Sequence, residues 1–175
     1  MQQVIPNEYF WAVVYTRSRS EKKLHDKLGE QQIESYLPLR KVLRQWSDRK
    51  KWVEEPLFGS YLFVRVSEKE RFKVLNTPGA VGYVSFEGTI ARVREEEITV
   101  IRRLTACELE LEAVTDRIEE GTPICIRAGS LIGLRGELVA YRSTQRVVVR
   151  IESIQQHIIV SVPSDWVVPL ISPAA

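Results

Sequence analysis

The segment Phe10-Trp-Ala-Val-Val-Tyr-Thr16 lies near the start of the chain. It is a continuous apolar run, rich in β-branched and aromatic residues, and such runs are typical of strands that are covered on both faces. A strand covered on both faces has neighbours on either side. We therefore predict that this segment lies centrally in a sheet.

The segments that follow alternate between helix and strand patterns. Ser20 precedes an amphipathic segment in which Leu24 and Leu28 lie one turn apart, so we predict a helix over 21–28 with Ser20 as its N-cap. Other patterns predict strands over 33–37, 61–66 and 81–86, helices over 68–75 and 94–104, and an exposed hairpin over 40–52. The first part of the chain is thus predicted to be α+β, with a mixed or antiparallel sheet flanked by helices.

The distribution of charge predicts where the first domain ends. Residues 1–107 carry 19 basic and 14 acidic side chains, whereas 108–120 carry six acidic side chains and one basic side chain. A block of like charge repels itself and stays solvated, as linkers between domains do. We therefore predict domains over 8–107 and 122–171, joined by an acidic linker over 108–121.

The second domain is predicted to be all-β. Five short strand patterns, separated by turn residues, occupy 124–127, 137–141, 146–151, 157–162 and 166–168. Closing such a sheet removes its exposed edges, so we predict a small barrel. The β-branched runs 147–149 and 158–160 favour a stable barrel over a helical alternative.

Several features argue against export, membrane insertion and catalysis. The chain has no apolar run long enough to span a bilayer and no export signal, so we expect a cytoplasmic protein in which Cys107 and Cys125 are free thiols. His25 and His157 have no metal-ligand spacing around them, and no phosphate-binding loop or nucleophile elbow occurs. We expect no enzymatic activity, metal or cofactor; a hydrolase or nuclease is the alternative, and it predicts metal-dependent cleavage.

Three landmarks in the first domain carry a resemblance to a known family. They are Trp11-Ala-Val-Val-Tyr-Thr-Arg17, Pro56-Leu-Phe-Gly-Ser-Tyr-Leu-Phe-Val64 and Pro78-Gly-Ala-Val-Gly-Tyr-Val84. In this order they resemble the N-terminal domain of NusG-type transcription elongation factors. The segment Gly129-Ser-Leu-Ile-Gly-Leu-Arg-Gly-Glu-Leu-Val139 resembles the KOW domain of the same family, which is an SH3-like barrel. Within the family, Glu55-Pro-Leu-Phe58 is most similar to the specialised RfaH and UpxY paralogues.

The resemblance implies a monomeric factor that binds RNA polymerase and promotes processive elongation of specific operons, such as capsular polysaccharide operons. Its first domain would dock on the clamp helices of the largest polymerase subunit. The docking residues carried over by motif are Tyr15, Tyr61, Phe63, Phe86, Ile98 and Ile101. A housekeeping NusG-like elongation or termination factor, or an RNA-binding ribosome-associated KOW protein, are the alternative functions.

The strand over 61–66 predicts which side chains are free to bind. Successive side chains of a strand point to opposite faces. If the aliphatic face made by Leu62, Val64 and Val66 is the core, the face made by Tyr61, Phe63 and Arg65 is available to a partner. The alternative is that the aromatic residues of this strand also belong to the core.

Two groups of basic residues are candidates for contact with nucleic acid. The resemblance implies contacts to non-template DNA or nascent RNA from Arg17, Arg19, Lys23 and Lys27. The hairpin over 40–52 is the other candidate, because Trp46 and Trp52 are interleaved with its basic residues and could stack on an unpaired base. A solvated charged face is the alternative interpretation of the hairpin.

In the second domain, the resemblance implies a partner-binding loop bounded by Gly129 and Gly136. Leu131 occupies the position of the apolar residue that contacts the termination factor Rho or a small-subunit ribosomal protein in relatives. We therefore expect the side chain of Leu131 to be exposed at the tip of this loop.

Overall fold

The structure is a computed structural model that describes residues 8–115, 118–141 and 144–170, with only the backbone described at 141 and 144. Its helices and strands follow in the order β1 Phe10–Thr16, α1 Glu21–Glu30, β2 Glu34–Tyr36, β3 Leu39–Gln45, β4 Lys50–Pro56, β5 Tyr61–Val66, α2 Arg71–Leu75, β6 Ala80–Tyr83, β7 Ser85–Phe86, β8 Thr89–Ile90, β9 Arg92–Val93, α3 Glu95–Ala106, β10 Leu111–Val114, β11 Thr122–Ile126, β12 Arg135–Tyr141, β13 Thr144–Ile151, β14 Gln156–Val160 and β15 Val167–Pro169. Among the described residues, no helix is both long enough and apolar enough to cross a lipid bilayer.

The chain forms two compact units. The first comprises Met1–Pro38 and Phe58–Glu95, and the second comprises Leu39–Leu57 and Glu96–Ala175. The hairpin of β3 and β4 and almost all of α3 therefore belong to the second unit. The domain limits 8–107 and 122–171 stay a prediction.

The first unit is built on a sheet in which β1 is central. The strand order is β2-β5-β1-β6, β9 also pairs with β1, and these pairings are antiparallel. The consecutive side chains 11–14 are all buried. Because consecutive positions of a strand point to opposite faces, both faces of the sheet are covered along this segment. The prediction of a buried central strand is confirmed.

Helix α1 contacts β2 and β5 through the predicted apolar residues Leu24 and Leu28, which are fully buried. It continues through Gly29, and the left-handed position after the helix is taken by Gln32, with a φ of 59°. Ser20 stands at the N-cap position but its side chain forms no capping hydrogen bond. The prediction of a Ser20 side-chain cap is therefore wrong.

Two other predicted elements of the first unit are shorter in the structure. The predicted strand 81–86 divides into β6 and β7, and β7 pairs with β8 in a separate hairpin. The predicted helix 68–75 is shorter in the structure, where it is α2. Just before α2, the Glu70 carboxylate accepts hydrogen bonds from the backbone N–H (3.0 Å) and the hydroxyl (2.8 Å) of Ser67. The backbone hydrogen bond lowers the pKa of Glu70, and the hydroxyl adds to this effect.

The second unit contains an antiparallel sheet of six strands in the order β10-β14-β13-β12-β11-β15. Strands β11 to β15 correspond to the five strands predicted from sequence. The pairings of the described residues place β10 and β15 at the two ends of this order, and closure into a barrel stays a prediction. Its fully buried side chains include those of Ile124, Ile126, Val148 and Ile158.

Strand β10 lies inside the segment predicted to be a solvated linker. Leu111 pairs with Val160 and Val114 with His157, so this part of the predicted linker is an edge strand of the second sheet. Leu111 is buried, whereas Glu110 and Glu112 alternate with it along the chain. The charge count concealed this alternation, and the prediction of a continuous linker over 108–121 is wrong.

A half-buried ion pair joins two strands of this sheet. The Arg150 guanidinium of β13 donates two hydrogen bonds to the Glu137 carboxylate of β12, at 2.7 and 2.8 Å. Glu137 also accepts the backbone N–H of Gly121, and Arg150 also donates to the carbonyl oxygens of Ile118 and Glu119. The hydrogen bonds from Arg150 are the main cause that lowers the pKa of Glu137.

Candidate functional site

Two tyrosines at the ends of neighbouring strands form an exposed aromatic pair. Tyr15 of β1 lies directly opposite Tyr61 of β5 in the antiparallel register. Their rings meet edge to face at a centroid distance of 5.0 Å, and their hydroxyls are 3.2 Å apart. Tyr15 is 41% exposed and Tyr61 is half-buried. The structure thus brings together two of the predicted docking residues and leaves ring surface open to a partner.

The face of β5 that carries Tyr61 is not uniformly open. Phe63 is fully buried, because the rings of Phe58 and Tyr36 pack around it at centroid distances of 5.7 and 6.2 Å. Arg65 on the same face is exposed. The prediction that Phe63 presents a free surface is wrong: both faces of β5 are covered in its middle, and only the ends of one face are accessible.

Glu21 is a positioning residue that the sequence interpretation missed. Its side chain is buried, and its Oε1 accepts the backbone N–H of Ser60 at 2.8 Å. Ser60 has a φ of 60° and directly precedes Tyr61, and its carbonyl oxygen accepts the N–H of Thr16. Glu21 therefore fixes the turn from which Tyr61 emerges. Its only sequence signal is an acidic residue in the first turn of a helix, which is common on dipole grounds alone.

Phe86 lies at the tip of the hairpin formed by β7 and β8. It pairs with Thr89, and the two residues between them, Glu87 and Gly88, both have positive φ. Phe86 is exposed. It is thus accessible, as predicted for a docking residue, although its role stays a prediction.

Ile98 and Ile101 of α3 are fully buried. Neither side chain is accessible in this conformation, and their role in docking stays a prediction. Within the second unit, the neighbouring Glu97 accepts hydrogen bonds from the backbone N–H and hydroxyl of Ser153. These hydrogen bonds join the first turn of α3 to the short 310 turn between β13 and β14.

The predicted nucleic-acid-binding residues of the first unit are accessible. Arg17, Arg19 and Lys23 are exposed and Lys27 is half-buried. Arg17 follows Tyr15 by two positions, and its backbone N–H donates to the carbonyl oxygen of Gly79 at 2.9 Å. The basic side chains therefore begin directly beside the end of β1 that carries the tyrosine pair.

In the second unit, the predicted partner-binding loop exposes a different residue from the one expected. Leu131, in a one-turn 310 helix, is fully buried, whereas the following Ile132 is 60% exposed. The Arg103 guanidinium donates to the carbonyl oxygens of Ser130 (3.3 Å) and Ile132 (2.7 Å). The prediction for Leu131 is therefore wrong, and Ile132 is the accessible apolar side chain of this loop.

The structure leaves no room for a side chain at either of the two glycines that flank the loop. Gly129 has a φ of 71°, and a Cβ atom there would lie 2.3 Å from the indole ring of Trp166. A Cβ atom at Gly136 would lie 2.8 Å from the carbonyl oxygen of Val148 on the paired strand. Both glycines therefore allow close packing inside the unit. Gly129 is exposed and Gly136 is half-buried, and their role in binding a partner stays a prediction.

Metal binding has no candidate site in the part of the chain that the structure describes. No three His, Cys, Asp or Glu side chains in these residues are grouped closely enough to hold an ion.

His157 is half-buried, and burial lowers its pKa, with the nearby Arg150 adding to the effect.

The fold and the accessible residues define a class of protein: an α+β unit that carries an exposed tyrosine pair next to basic side chains, and a second unit with an antiparallel sheet. The chain belongs to the NusG family, because the family model described as transcription termination factor NusG matches residues 9–102. Members of this family are non-enzymatic transcription factors. The comparison with curated proteins gives no match.

Solved structures agree with this fold. A structure described as domain interaction in Thermotoga maritima NusG is 24% identical, covers 93% of this chain and 98% of its own, and superposes with a TM-score of 0.53. Conformation A of the MjSpt4:Spt5 complex is 17% identical, with coverage of 91% of this chain and 97% of its own and a TM-score of 0.29. Conformation B is 18% identical, with coverage of 91% of this chain and 96% of its own and a TM-score of 0.31. The Thermotoga structure supports a NusG-like fold.

Proposed function

We propose that this chain binds RNA polymerase and promotes processive transcript elongation. The observation that carries the proposal is the pair of Tyr15 and Tyr61, whose rings are accessible and held in a fixed mutual geometry. Tyrosine combines a large apolar ring with a hydroxyl and loses few rotamers on binding, which makes it a frequent anchor at protein interfaces. Membership of the NusG family supports the same proposal.

The proposed docking partner is the tip of the clamp helices on the largest polymerase subunit. The tyrosine pair and Phe86 would supply the apolar contacts. A factor that is bound across the DNA channel resists opening of the clamp, and this would disfavour pausing.

The basic residues beside the tyrosine pair are proposed to contact the displaced non-template DNA strand or nascent RNA. Arg17, Arg19 and Lys23 are exposed, and each phosphate that they neutralise adds salt-dependent affinity. Such contacts position a strand without reading its sequence, because phosphates carry no sequence information.

The second unit is proposed to bind the termination factor Rho or a small-subunit ribosomal protein through Ile132. Its exposed β-branched side chain takes over the role expected of Leu131. We further propose that the factor is specialised, with capsular polysaccharide operons as the target class. The similarity of Glu55-Pro-Leu-Phe58 to the UpxY paralogues supports this specialisation.

A binding experiment with purified core RNA polymerase tests the docking proposal. The Tyr15→Ala/Tyr61→Ala double variant should weaken retention by about 30-fold or more, which is the typical effect of losing an aromatic anchor. Phe72→Ala is the matched control, because Phe72 is an exposed aromatic residue of the same unit and lies on α2. Equal retention of the wild type and the double variant would refute this docking surface.

In vitro transcription tests the specialisation. Templates that carry a capsular operon leader and templates with an unrelated leader are transcribed through the same terminator. The proposal expects increased read-through on the capsular template only. Equal effects on both templates would instead support a housekeeping factor.

A further inference from the structure

The outer half of the hairpin formed by β3 and β4 is exposed on both faces. The register pairs Val42 with Val53, Leu43 with Trp52 and Arg44 with Lys51. The backbone N–H of Trp46 donates to the carbonyl oxygen of Arg49 at 2.8 Å and closes the turn. Because side chains alternate along each strand, the outer hairpin has two chemically different faces.

The first of these, here called the Trp46 face, combines one aromatic side chain with a group of cations. It carries Trp46 together with Arg44, Arg49 and Lys51. Trp46 is 47% exposed, and within the described chain no acceptor is bonded to its indole N–H. Arg44 is fixed by two hydrogen bonds to the Glu55 carboxylate, at 2.7 and 3.0 Å. The face is therefore partly preorganised, and about half of its aromatic ring is open to a partner.

The opposite face has a structural explanation of its own. Trp52 lies directly across from Leu43, and both are exposed. Aromatic and aliphatic side chains in directly opposed positions stabilise a two-stranded ribbon, which is marginal in water without such pairs. Trp46 has Arg49 across from it instead. The two tryptophans therefore differ in what the fold requires of them.

The charge of the hairpin favours an anionic partner. Residues 39–56 carry six basic and three acidic side chains. Neither Lys50 nor Lys51 has an ion-pair partner among the residues that the structure describes. On the Trp46 face Lys51 is unpaired, and Arg49 lies 3.9 Å from Asp48 in an ion pair whose side chains are 72% and 70% exposed. Such an exposed pair is weak, so Arg49 can exchange Asp48 for a phosphate. Cations beside an exposed indole ring therefore combine the two contacts that unpaired nucleic acid requires, neutralised phosphates and a stacking platform.

We propose that the Trp46 face binds a single strand of nucleic acid, with Trp46 stacked on an unpaired base and with Arg49 and Lys51 on flanking phosphates. A single strand is favoured over a duplex because the base faces of a duplex are already stacked on each other and closed to an indole ring. The proposal goes beyond polymerase docking and does not depend on it, since the hairpin and the tyrosine pair belong to different units.

The first test measures binding of the full-length chain to short labelled oligo-dT, oligo-rU and a duplex of the same length, without polymerase. Trp46→Ala should weaken single-strand binding by about 5- to 150-fold, which is the range for losing one stacked base. Trp52→Leu removes the same ring from the opposite face but keeps an apolar pair with Leu43, so it should change the affinity by no more than about twofold, as for other surface substitutions. Trp46→Phe keeps an aromatic platform and should retain most of the affinity.

A pair of charge variants separates the Trp46 face from the charge of the hairpin as a whole. Arg49→Ala/Lys51→Ala removes two cations from this face, and Lys41→Ala/Lys50→Ala removes two cations from the opposite face. The two variants have the same net charge. The first should reduce the slope of log affinity against log salt concentration by about 1.4, from about 0.7 for each phosphate contact on a single strand. The second should leave that slope nearly unchanged.

A spectroscopic test locates the contact. The chain has four tryptophans, so its indole N–H signals can be assigned with single Trp→Phe variants. The Trp46 signal should shift on saturation with oligo-dT or oligo-rU, while the Trp52 signal should not. A stationary Trp46 signal, tighter binding of the duplex than of either single strand, or equal effects of the two charge variants would each overturn the proposal. Loss of polymerase retention in the tyrosine variant leaves these results unaffected, so the two proposals fail independently.

Discussion

Glu21→Ala should destabilise the first unit although Glu21 is buried and is not one of the proposed partner-binding residues. The substitution removes the acceptor of the 2.8 Å hydrogen bond from the Ser60 N–H, while Ser60 keeps a left-handed φ of 60° that is itself unfavourable. A hydrogen bond to a charged group contributes about 1.5–3 kcal/mol to stability. We expect the free energy of unfolding to fall by that amount. Glu21→Gln retains an amide oxygen as acceptor and should cost about half as much.

Urea unfolding and amide hydrogen exchange measure this effect at two levels. The Ser60 amide should exchange at least about 10-fold faster in Glu21→Ala, because its protecting partner is gone. Polymerase retention should fall as well, because the turn that orients Tyr61 loses its anchor. Glu30→Ala is the matched control, since Glu30 is an exposed carboxylate on the same helix and should change stability by less than about 0.5 kcal/mol.

If Glu21→Ala unfolds with the same free energy as Glu30→Ala and the Ser60 amide exchanges at the wild-type rate, the hydrogen bond does not hold the turn. A loss of stability without faster Ser60 exchange would place the role of Glu21 elsewhere in the unit.

Three further predictions concern the second unit. Leu131→Ala truncates a core side chain and should lower the free energy of unfolding by about 2–5 kcal/mol. Ile132→Ala should change it by no more than about 0.5 kcal/mol but weaken capture of Rho or the ribosomal protein. Equal unfolding curves for the two variants would contradict the burial of Leu131. Gly129→Ala should destabilise the unit more than Gly133→Ala, measured by thermal unfolding, because both have positive φ but only Gly129 faces an indole ring. The pKa of Glu137 is lowered in the folded protein. The stability that Glu137 contributes is therefore present above the ordinary glutamate pKa and is lost as the pH falls through the lower value. Glu137→Gln should flatten that part of a profile of unfolding free energy against pH, and an unchanged profile would argue against the ion pair.

The strand Tyr61–Val66 illustrates how far periodicity can be trusted. Alternation correctly assigns Leu62, Val64 and Val66 to the core, and it places Tyr61 and Phe63 on the other face. Whether that other face is open depends on what packs over it, and here the ring of Phe58 covers Phe63. Phe63 is therefore unsuitable as a docking variant, because truncation of a buried phenylalanine costs about 3–5 kcal/mol of stability.

The acidic segment shows a second limit of sequence patterns. Charge density over 108–120 predicts solvation, and most of its glutamates are exposed. Glu112 is half-buried, however, and Leu111 is buried and starts an edge strand. A four-residue strand in an acidic segment has too little apolar periodicity to be recognised alone. Its pairing with β14 supplies the hydrogen bonds that the local sequence does not specify.

The sequence by itself determined the central strand, the amphipathic helices, the exposed hairpin and the membership of the NusG family, because each depends on local periodicity or on residues close together in the chain. The tertiary structure alone decided which side chains remain accessible. Tyr15 and Tyr61 meet through strand pairing across 46 positions, and Ile132 replaces Leu131 at the loop surface because one turn of 310 helix directs Leu131 into the core. Burial of a side chain depends on residues distant in sequence, and periodicity within one segment cannot specify them.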